Sequence, residues 1–144
     1  MKNRLGSAFA ARCFALGLAT GTASFTHLTQ ANMVNDGEEA FKETCSVCHS
    51  VLPGKAKVGP PLFGVVGRPA ASVAGYPYSD AMKASGVTWM PAMLETYLTG
   101  PQKMIPGINM TFPGEPDAKL RLALVAYLKT LKSPVLRDIP TPTR

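Results

Sequence analysis

The stretch TCSVCHS, residues 44–50, brings together Cys45, Cys48 and His49. These residue types at this spacing could support four kinds of chemistry. The two cysteines could form a structural disulfide, act as a thiol–disulfide redox pair or supply two thiolates to a zinc ion. They could also attach covalently to a haem while the histidine binds its iron. The remainder of the chain has to discriminate between these possibilities.

The supply of further ligands argues against zinc. A structural zinc site needs four ligands, but after residue 31 the chain has no third cysteine and His49 is its only histidine. A thioredoxin-like pair belongs at a strand–helix junction, and no strand pattern is visible. A disulfide would close a very small loop, gain little chain entropy and leave the histidine unexplained. Covalent haem attachment is therefore favoured.

A haem iron needs a sixth ligand or an open position, and the candidates here are methionine, lysine and water. Met93 falls on a helix face and is interpreted as core filler. Met110 lies in IPGINMTFPG, a loop with a Pro-Gly pair near each end and too many apolar residues for a simple surface loop. Met110 is therefore the favoured second ligand. The methionines that follow residue 31 are Met33, Met82, Met90, Met93, Met104 and Met110.

The first 31 residues have the features of an export signal. A basic segment at residues 1–12 precedes a short apolar run, and TQA at 29–31 provides a small-x-small cleavage site. We predict that residues 1–31 are a cleaved secretory signal peptide and that the protein is periplasmic. An uncleaved membrane anchor is the alternative, but a span needs about 20 apolar residues and the apolar run here is shorter than that. From residue 32 onward twelve basic and nine acidic residues leave a charge of +3, which argues against nucleic acid as a partner.

Residues 32–144 are predicted to form one domain, with a core over about 36–133 and a loose C-terminal tail. The first helix is expected to begin at Asn35 or Asp36 and to deliver the chain to Cys45. Residues 101–114 are expected to be a glycine- and proline-rich loop. The fold class is all-α, with three to four helices and long loops around one haem. The other helices are predicted over about 79–85, 91–98 and 116–132.

Seven motifs carry a resemblance to a known family. They are G-x-x-x-F (Gly37, Phe41), CSVCH, GPPLFGVVGR, GYPYSDAMKASGVTW, Y-L-x-x-P, KMIPGINMTFPG and LVAYLK. On these motifs the chain from about Asp36 to Leu131 resembles the class I cytochromes c, especially the soluble bacterial periplasmic forms similar to mitochondrial cytochrome c. The resemblance implies the cytochrome c fold around one covalent haem c.

The resemblance also implies roles for individual residues. Cys45 and Cys48 would form the thioethers, and His49 and Met110 would be the axial ligands of the iron. The Pro60 carbonyl would accept the outer N–H of His49. Gly37 and Phe41 would cross the last helix near Leu124 and Tyr127. The residues expected around the haem and its propionates are Pro60, Arg68, Tyr78, Trp89 and Phe112.

Four positions depart from the mitochondrial pattern. Met82 and Ile108 replace polar residues, while Gln102 and Asn109 replace lysines. The two apolar replacements could loosen the loop of residues 105–114 that carries Met110, called the methionine loop below.

The function implied is that of a one-electron carrier, monomeric and without enzyme activity. Its partners would be redox proteins: a quinol-oxidising complex, a terminal oxidase, a reaction centre or a periplasmic dehydrogenase, with transient contact at the membrane surface. The alternative is a haem enzyme or sensor with a labile sixth ligand, which would perform peroxidase-type chemistry or bind gas.

Overall fold

A computed structural model describes residues 23–132, with side chains from residue 30 onward. Most of the predicted signal peptide and all of the C-terminal tail beyond 132 lie outside the described residues. The described chain contains five α-helices and no strand, and one isolated bridge joins Pro69 to Thr88. The helices are α1 (Ala23–Ala40), α2 (Asp80–Ala84), α3 (Pro91–Thr99), α4 (Pro101–Met104) and α5 (Ala118–Thr130). The all-α prediction is confirmed.

Helix α1 begins earlier than predicted. It starts at Ala23 and passes through Asn35 and Asp36 without a break, so neither residue is an N-cap. The physical reason is that the first proline or glycine after Ala23 is Gly37, so no helix-breaking residue occurs before it. At its C-terminal end the helix widens into a π-helical turn, Phe41–Cys45. The Ser46 N–H closes this turn on the Phe41 carbonyl at 2.9 Å.

The crossing of α1 with α5 is as predicted. Gly37 is buried, and a Cβ at this position would lie 1.9 Å from the Ala123 carbonyl oxygen. One turn further on, the rings of Phe41 and Tyr127 meet with their centroids 5.5 Å apart. The glycine therefore lets the two helix backbones touch, and the aromatic pair fills the space beside the contact.

The other helices lie close to the predicted ranges, with two corrections. The Ser79 side chain accepts from the Met82 N–H and caps α2, and Asp117 accepts from Lys119 and Leu120 to cap α5. Residues 101–114 are not all loop, because Pro101 occupies the first position of α4 and its missing N–H is no loss there. This additional turn raises the helix count to five. Met93 is 36% exposed and is not core filler.

The core lies where α1, α3 and α5 meet, and the long loops close over it. Residues 67–70 run beside residues 87–89, and the Trp89 N–H donates to the Arg68 carbonyl at 3.0 Å. This pairing holds Trp89 inside. No helix among the described residues is long and apolar enough to span a bilayer. The buried cluster consists of Ala40, Phe41, Val65, Trp89, Leu94, Tyr97, Leu98, Ile105, Ile108, Leu124, Val125, Tyr127, Leu128 and Leu131.

Candidate functional site

The two cysteines and the histidine lie on a tight turn that begins at Cys45, the last residue of the π-helical turn. The N–H groups of Cys48 and His49 both donate to the Cys45 carbonyl, at 3.1 and 2.8 Å. Cys45 is half-buried against the core and Cys48 is exposed, and the two form no disulfide. Burial raises the pKa of Cys45 to about 11, with a smaller contribution from Cys48. Two accessible thiols and an imidazole thus project from one short segment.

The His49 imidazole is held in one orientation. Its Nδ1 lies 2.8 Å from the Pro60 carbonyl oxygen, and because a carbonyl can only accept, Nδ1 carries the hydrogen. The lone pair of Nε2 is then free to bind a metal. Burial lowers the pKa of His49 more than the Pro60 hydrogen bond raises it, so the ring is neutral at neutral pH. Gly59 is buried directly against the ring.

Arg68 fixes the segment that follows Pro60. Its guanidinium donates to the carbonyls of Phe63 at 2.8 Å and of Pro61 at 2.9 Å. Burial lowers the pKa of Arg68, but the nearby Tyr78 opposes that change. Burial raises the pKa of Tyr78, and the charge of Arg68 partly offsets this increase. The predicted residues Pro60, Arg68 and Tyr78 therefore belong to one region of the molecule.

An aromatic pair connects this region to the methionine loop. The rings of Trp89 and Tyr97 are both buried, with centroids 4.8 Å apart. The Tyr97 hydroxyl donates to the Met110 sulfur at 3.4 Å. Burial raises the pKa of Tyr97 to about 12, so the hydroxyl keeps its proton well above neutral pH. The contacts thus continue from the Trp89 region as far as the thioether of Met110.

The methionine loop is anchored to the core at several points. Ile105 and Ile108 are buried, and Met110 and Phe112 pack against the buried cluster from a half-exposed position. Cys45 packs against the same cluster. At the C-terminal end of the loop, Arg121 on α5 donates to the carbonyls of Glu115 and Pro116, both at 2.9 Å. The burial of Ile108 explains why an apolar residue is accommodated at this position.

The chemistry of these side chains fits a haem. A neutral imidazole and a thioether are ligands that haem iron accepts, and the two thiols can form thioethers with the vinyl groups of the porphyrin. Cys45 and Met110 both pack against the aromatic and aliphatic side chains of the buried cluster. Among residues 23–132 no group of three or more His, Cys, Asp or Glu side chains could hold a metal ion by itself.

Three contributors to the site were missed by sequence reasoning. Tyr97 lies within the quoted Y-L-x-x-P motif, and its position four residues before Pro101 was the available signal. Gly59 adjoins the first proline of GPPLFGVVGR, but its contact with His49 joins residues ten positions apart. Gln102 donates to two carbonyls of the methionine loop, and no sequence pattern indicates these two hydrogen bonds.

The fold and the site together define a class of small helical protein whose Cys-x-x-Cys-His segment and apolar core suit a covalently attached haem. The sequence profile of the family described as Cytochrome c matches residues 34–132. The chain belongs to the cytochrome c family.

Individual relatives agree with this assignment. Cytochrome c2 of Rhodopila globiformis is 45% identical over 97 residues, which cover 67% of this chain and 92% of that protein. Cytochrome c2 of Rhodoblastus acidophilus is 46% identical over 98 residues, covering 67% and 91%. The solved structure of cytochrome cH from Methylobacterium extorquens superposes with a TM-score of 0.64 at 46% identity, covering 67% of this chain and 97% of that chain.

Family membership fixes the cofactor and the general function. The chain carries one covalently bound haem c and is an electron-transfer protein. It is not an enzyme, so the family assignment favours the carrier over the alternative of a haem enzyme with a labile ligand.

Proposed function

We propose that the protein is a one-electron carrier whose haem is held by thioethers at Cys45 and Cys48, with His49 and Met110 as axial ligands. The observation that carries this proposal is the hydrogen bond from the Tyr97 hydroxyl to the Met110 sulfur. A buried donor fixes this thioether against the same core that Cys45 joins. The haem, when bound, supplies the one-electron couple of its iron.

The protein residues orient the ligands and exclude water. The Pro60 carbonyl fixes the His49 ring, and the buried side chains of Trp89 and Tyr97 keep the interior apolar. Pairing a histidine with a methionine raises the reduction potential. With both axial positions filled by protein side chains, no position remains for a substrate, and this supports a carrier role. Pro60, Arg68, Tyr78, Trp89 and Phe112 form the surrounding pocket in this proposal.

The partners we propose are redox proteins: a quinol-oxidising complex, a terminal oxidase, a reaction centre or a periplasmic dehydrogenase. The surface beside Cys48 supports brief contact with a protein. Val47 and Val58 are 75% and 79% exposed, and their segments adjoin because the Gly59 N–H donates to the Cys48 carbonyl at 2.7 Å. Exposed Lys55 and Lys57 lie in the same region. A small apolar patch with nearby cations suits transient docking of a monomer, steered by charge and weakened by salt.

Replacing Met110 tests the ligand assignment. We expect the oxidised wild-type protein to show the near-infrared charge-transfer band of methionine bound to iron, and Met110→Ala to lose it while remaining folded. The exposed Met93 provides the control, because Met93→Ala removes a thioether that lies at the surface. Its near-infrared band should match the wild type. A wild-type protein that is high-spin and reacts with peroxide would contradict the proposal.

We further propose that residues 1–31 are a signal peptide and that residues 32–144 form the mature periplasmic protein. The basic segment, apolar run and TQA site support this. Helix α1 continues across residue 31, and removal of the leader would leave Gly37 and the crossing with α5 intact. Mass spectrometry of the exported protein should give the mass of residues 32–144 plus one haem. An intact N-terminus in the membrane fraction would instead indicate a tethered form.

A further inference from the structure

Gln102 makes a two-point contact with the methionine loop. Its Nε2 lies 2.7 Å from the Ile108 carbonyl oxygen and 2.9 Å from the Met110 carbonyl oxygen. Both partners can only accept, so the NH₂ end of the amide faces the loop and each of its hydrogens has one acceptor. A single side chain thus binds the backbone of the loop at two residues that flank Asn109.

The base from which Gln102 projects is firmly held. Helix α4 is one turn long, and Pro101 at its start is among the most completely buried side chains. The Ile105 N–H donates to the Pro101 carbonyl at 2.9 Å, and Ile105 is itself buried. Gln102 therefore lies between two residues fixed in the core. Its amide can hold another segment in place because its own backbone has little freedom to move.

The loop depends on such contacts. Residues 105–114 contain no helix or strand, and Gly107 adopts a φ of 86°, which glycine reaches without steric cost. Without a regular ladder of hydrogen bonds, side-chain contacts determine its conformation. The Tyr97 hydroxyl fixes the Met110 sulfur, and Gln102 fixes the Met110 carbonyl. The methionine is thereby held at both its side-chain end and its backbone end.

We propose that Gln102 is a positioning residue that keeps the Met110 sulfur directed at the iron. This rests on the proposed function, in which Met110 is an axial ligand. Fixing the carbonyl of residue 110 limits rotation of its backbone and hence the direction of its Cα–Cβ bond. Gln102 stands where the family resemblance implies a lysine, so in this chain a neutral amide holds the loop.

The test compares three variants of the haem-loaded protein. Gln102→Met keeps the length of the side chain but removes both donors, and Gln102→Glu sets a carboxylate against two carbonyls. Asn109→Asp is the matched control, because it adds the same charge at an exposed loop residue with no hydrogen bond from Gln102 to its carbonyl. Each variant is titrated with imidazole, which binds the oxidised iron only when the methionine has left it.

The apparent affinity for imidazole reports the fraction of molecules in which the loop is open. Losing two neutral hydrogen bonds at a partly exposed site should raise that fraction about tenfold. We expect Gln102→Met to bind imidazole about tenfold more tightly than the wild type does. Gln102→Glu should bind it at least as tightly as Gln102→Met does. The affinity of Asn109→Asp should stay within about twofold of the wild type. Equal affinities for Gln102→Met and wild type would overturn the proposal.

Hydrogen–deuterium exchange gives a second readout that does not depend on the ligand assignment. Amides in residues 107–112 should exchange about tenfold faster in Gln102→Met than in the wild type, while amides in α5 should be unchanged. If the wild type lacks the methionine–iron band, the proposed ligation is wrong but faster loop exchange still supports the contact made by Gln102. Unchanged exchange in the loop shows that Gln102 does not position it.

Discussion

Gly37→Ala is expected to destabilise the protein by at least about 3 kcal/mol, at the upper end of the usual cost of overpacking a core. The new Cβ would lie 1.9 Å from the Ala123 carbonyl oxygen and 2.4 Å from its carbonyl carbon. Backbone atoms cannot rotate away as a flexible side chain can. The two helices must therefore move apart, and the contact of Phe41 with Tyr127 loosens with them.

The expected loss of stability in Gly37→Ala is opposite in sign to the usual effect of this substitution in a helix. In an ordinary helix, replacing glycine with alanine stabilises by about 0.5–1 kcal/mol. Here the crossing reverses the expectation, and the melting temperature should fall by roughly 12–24 °C for a domain of this size. Thermal unfolding of the holoprotein followed by circular dichroism measures this. Asp36→Ala, at an exposed neighbouring position on α1, should change stability by no more than about 0.5 kcal/mol. A Gly37→Ala variant as stable as wild type would mean that the helices do not meet at this residue.

The crossing was predicted through the family resemblance, because the G-x-x-x-F motif is one of the motifs that carry it. Gly37 and Phe41 are four residues apart, which places them on one face of a helix whatever surrounds it. The caps at Ser79 and Asp117 are also local features, since a cap and the N–H groups that it binds lie within three residues. Such features require only the geometry of a single turn.

The wrong predictions of helix boundaries involve residue types that can serve either of two roles in local structure. Pro101 was placed at the start of the predicted loop 101–114, but proline also suits the first position of a helix, and here it begins α4. Asn35 and Asp36 can cap a helix or continue one, and α1 continues through both. Composition alone does not decide between the two outcomes, because the choice depends on what the preceding residues do.

The contacts that complete the site could not be predicted, because they join helix residues to a loop without periodic structure. The Tyr97 hydroxyl and the Met110 sulfur are thirteen positions apart, and Gln102 reaches carbonyls six and eight residues ahead. The distances between these groups are set by how loops without periodic structure fold onto the core. Residue types with the right chemistry could be named from the sequence, but the partners that orient Met110 could not.

Gly59→Ala is expected to displace the His49 imidazole and to destabilise the holoprotein by about 3 kcal/mol, again at the upper end of overpacking costs. A Cβ at residue 59 would lie 2.4 Å from Cε1, 2.7 Å from Nδ1 and 2.9 Å from Nε2 of that ring. Three ring atoms at such distances place the added methyl against the imidazole itself. The ring can escape only by leaving the Pro60 carbonyl, which is what fixes the direction of its Nε2 lone pair.

Gly54→Ala separates this clash from the ordinary cost of losing a glycine. Gly54 has a φ of 65° and open space around its Cα, so alanine there meets only backbone strain, about 1–2 kcal/mol. Gly59 has no such φ, so its substitution meets only the imidazole. Denaturant unfolding followed through the haem absorbance should therefore give a lower free energy of unfolding for Gly59→Ala than for Gly54→Ala. NMR of the reduced protein should show shifted His49 ring resonances in Gly59→Ala only. If Gly59→Ala kept both the stability and the ring resonances of the wild type, His49 would not be held between Gly59 and Pro60, and another contact would have to orient the proximal ligand.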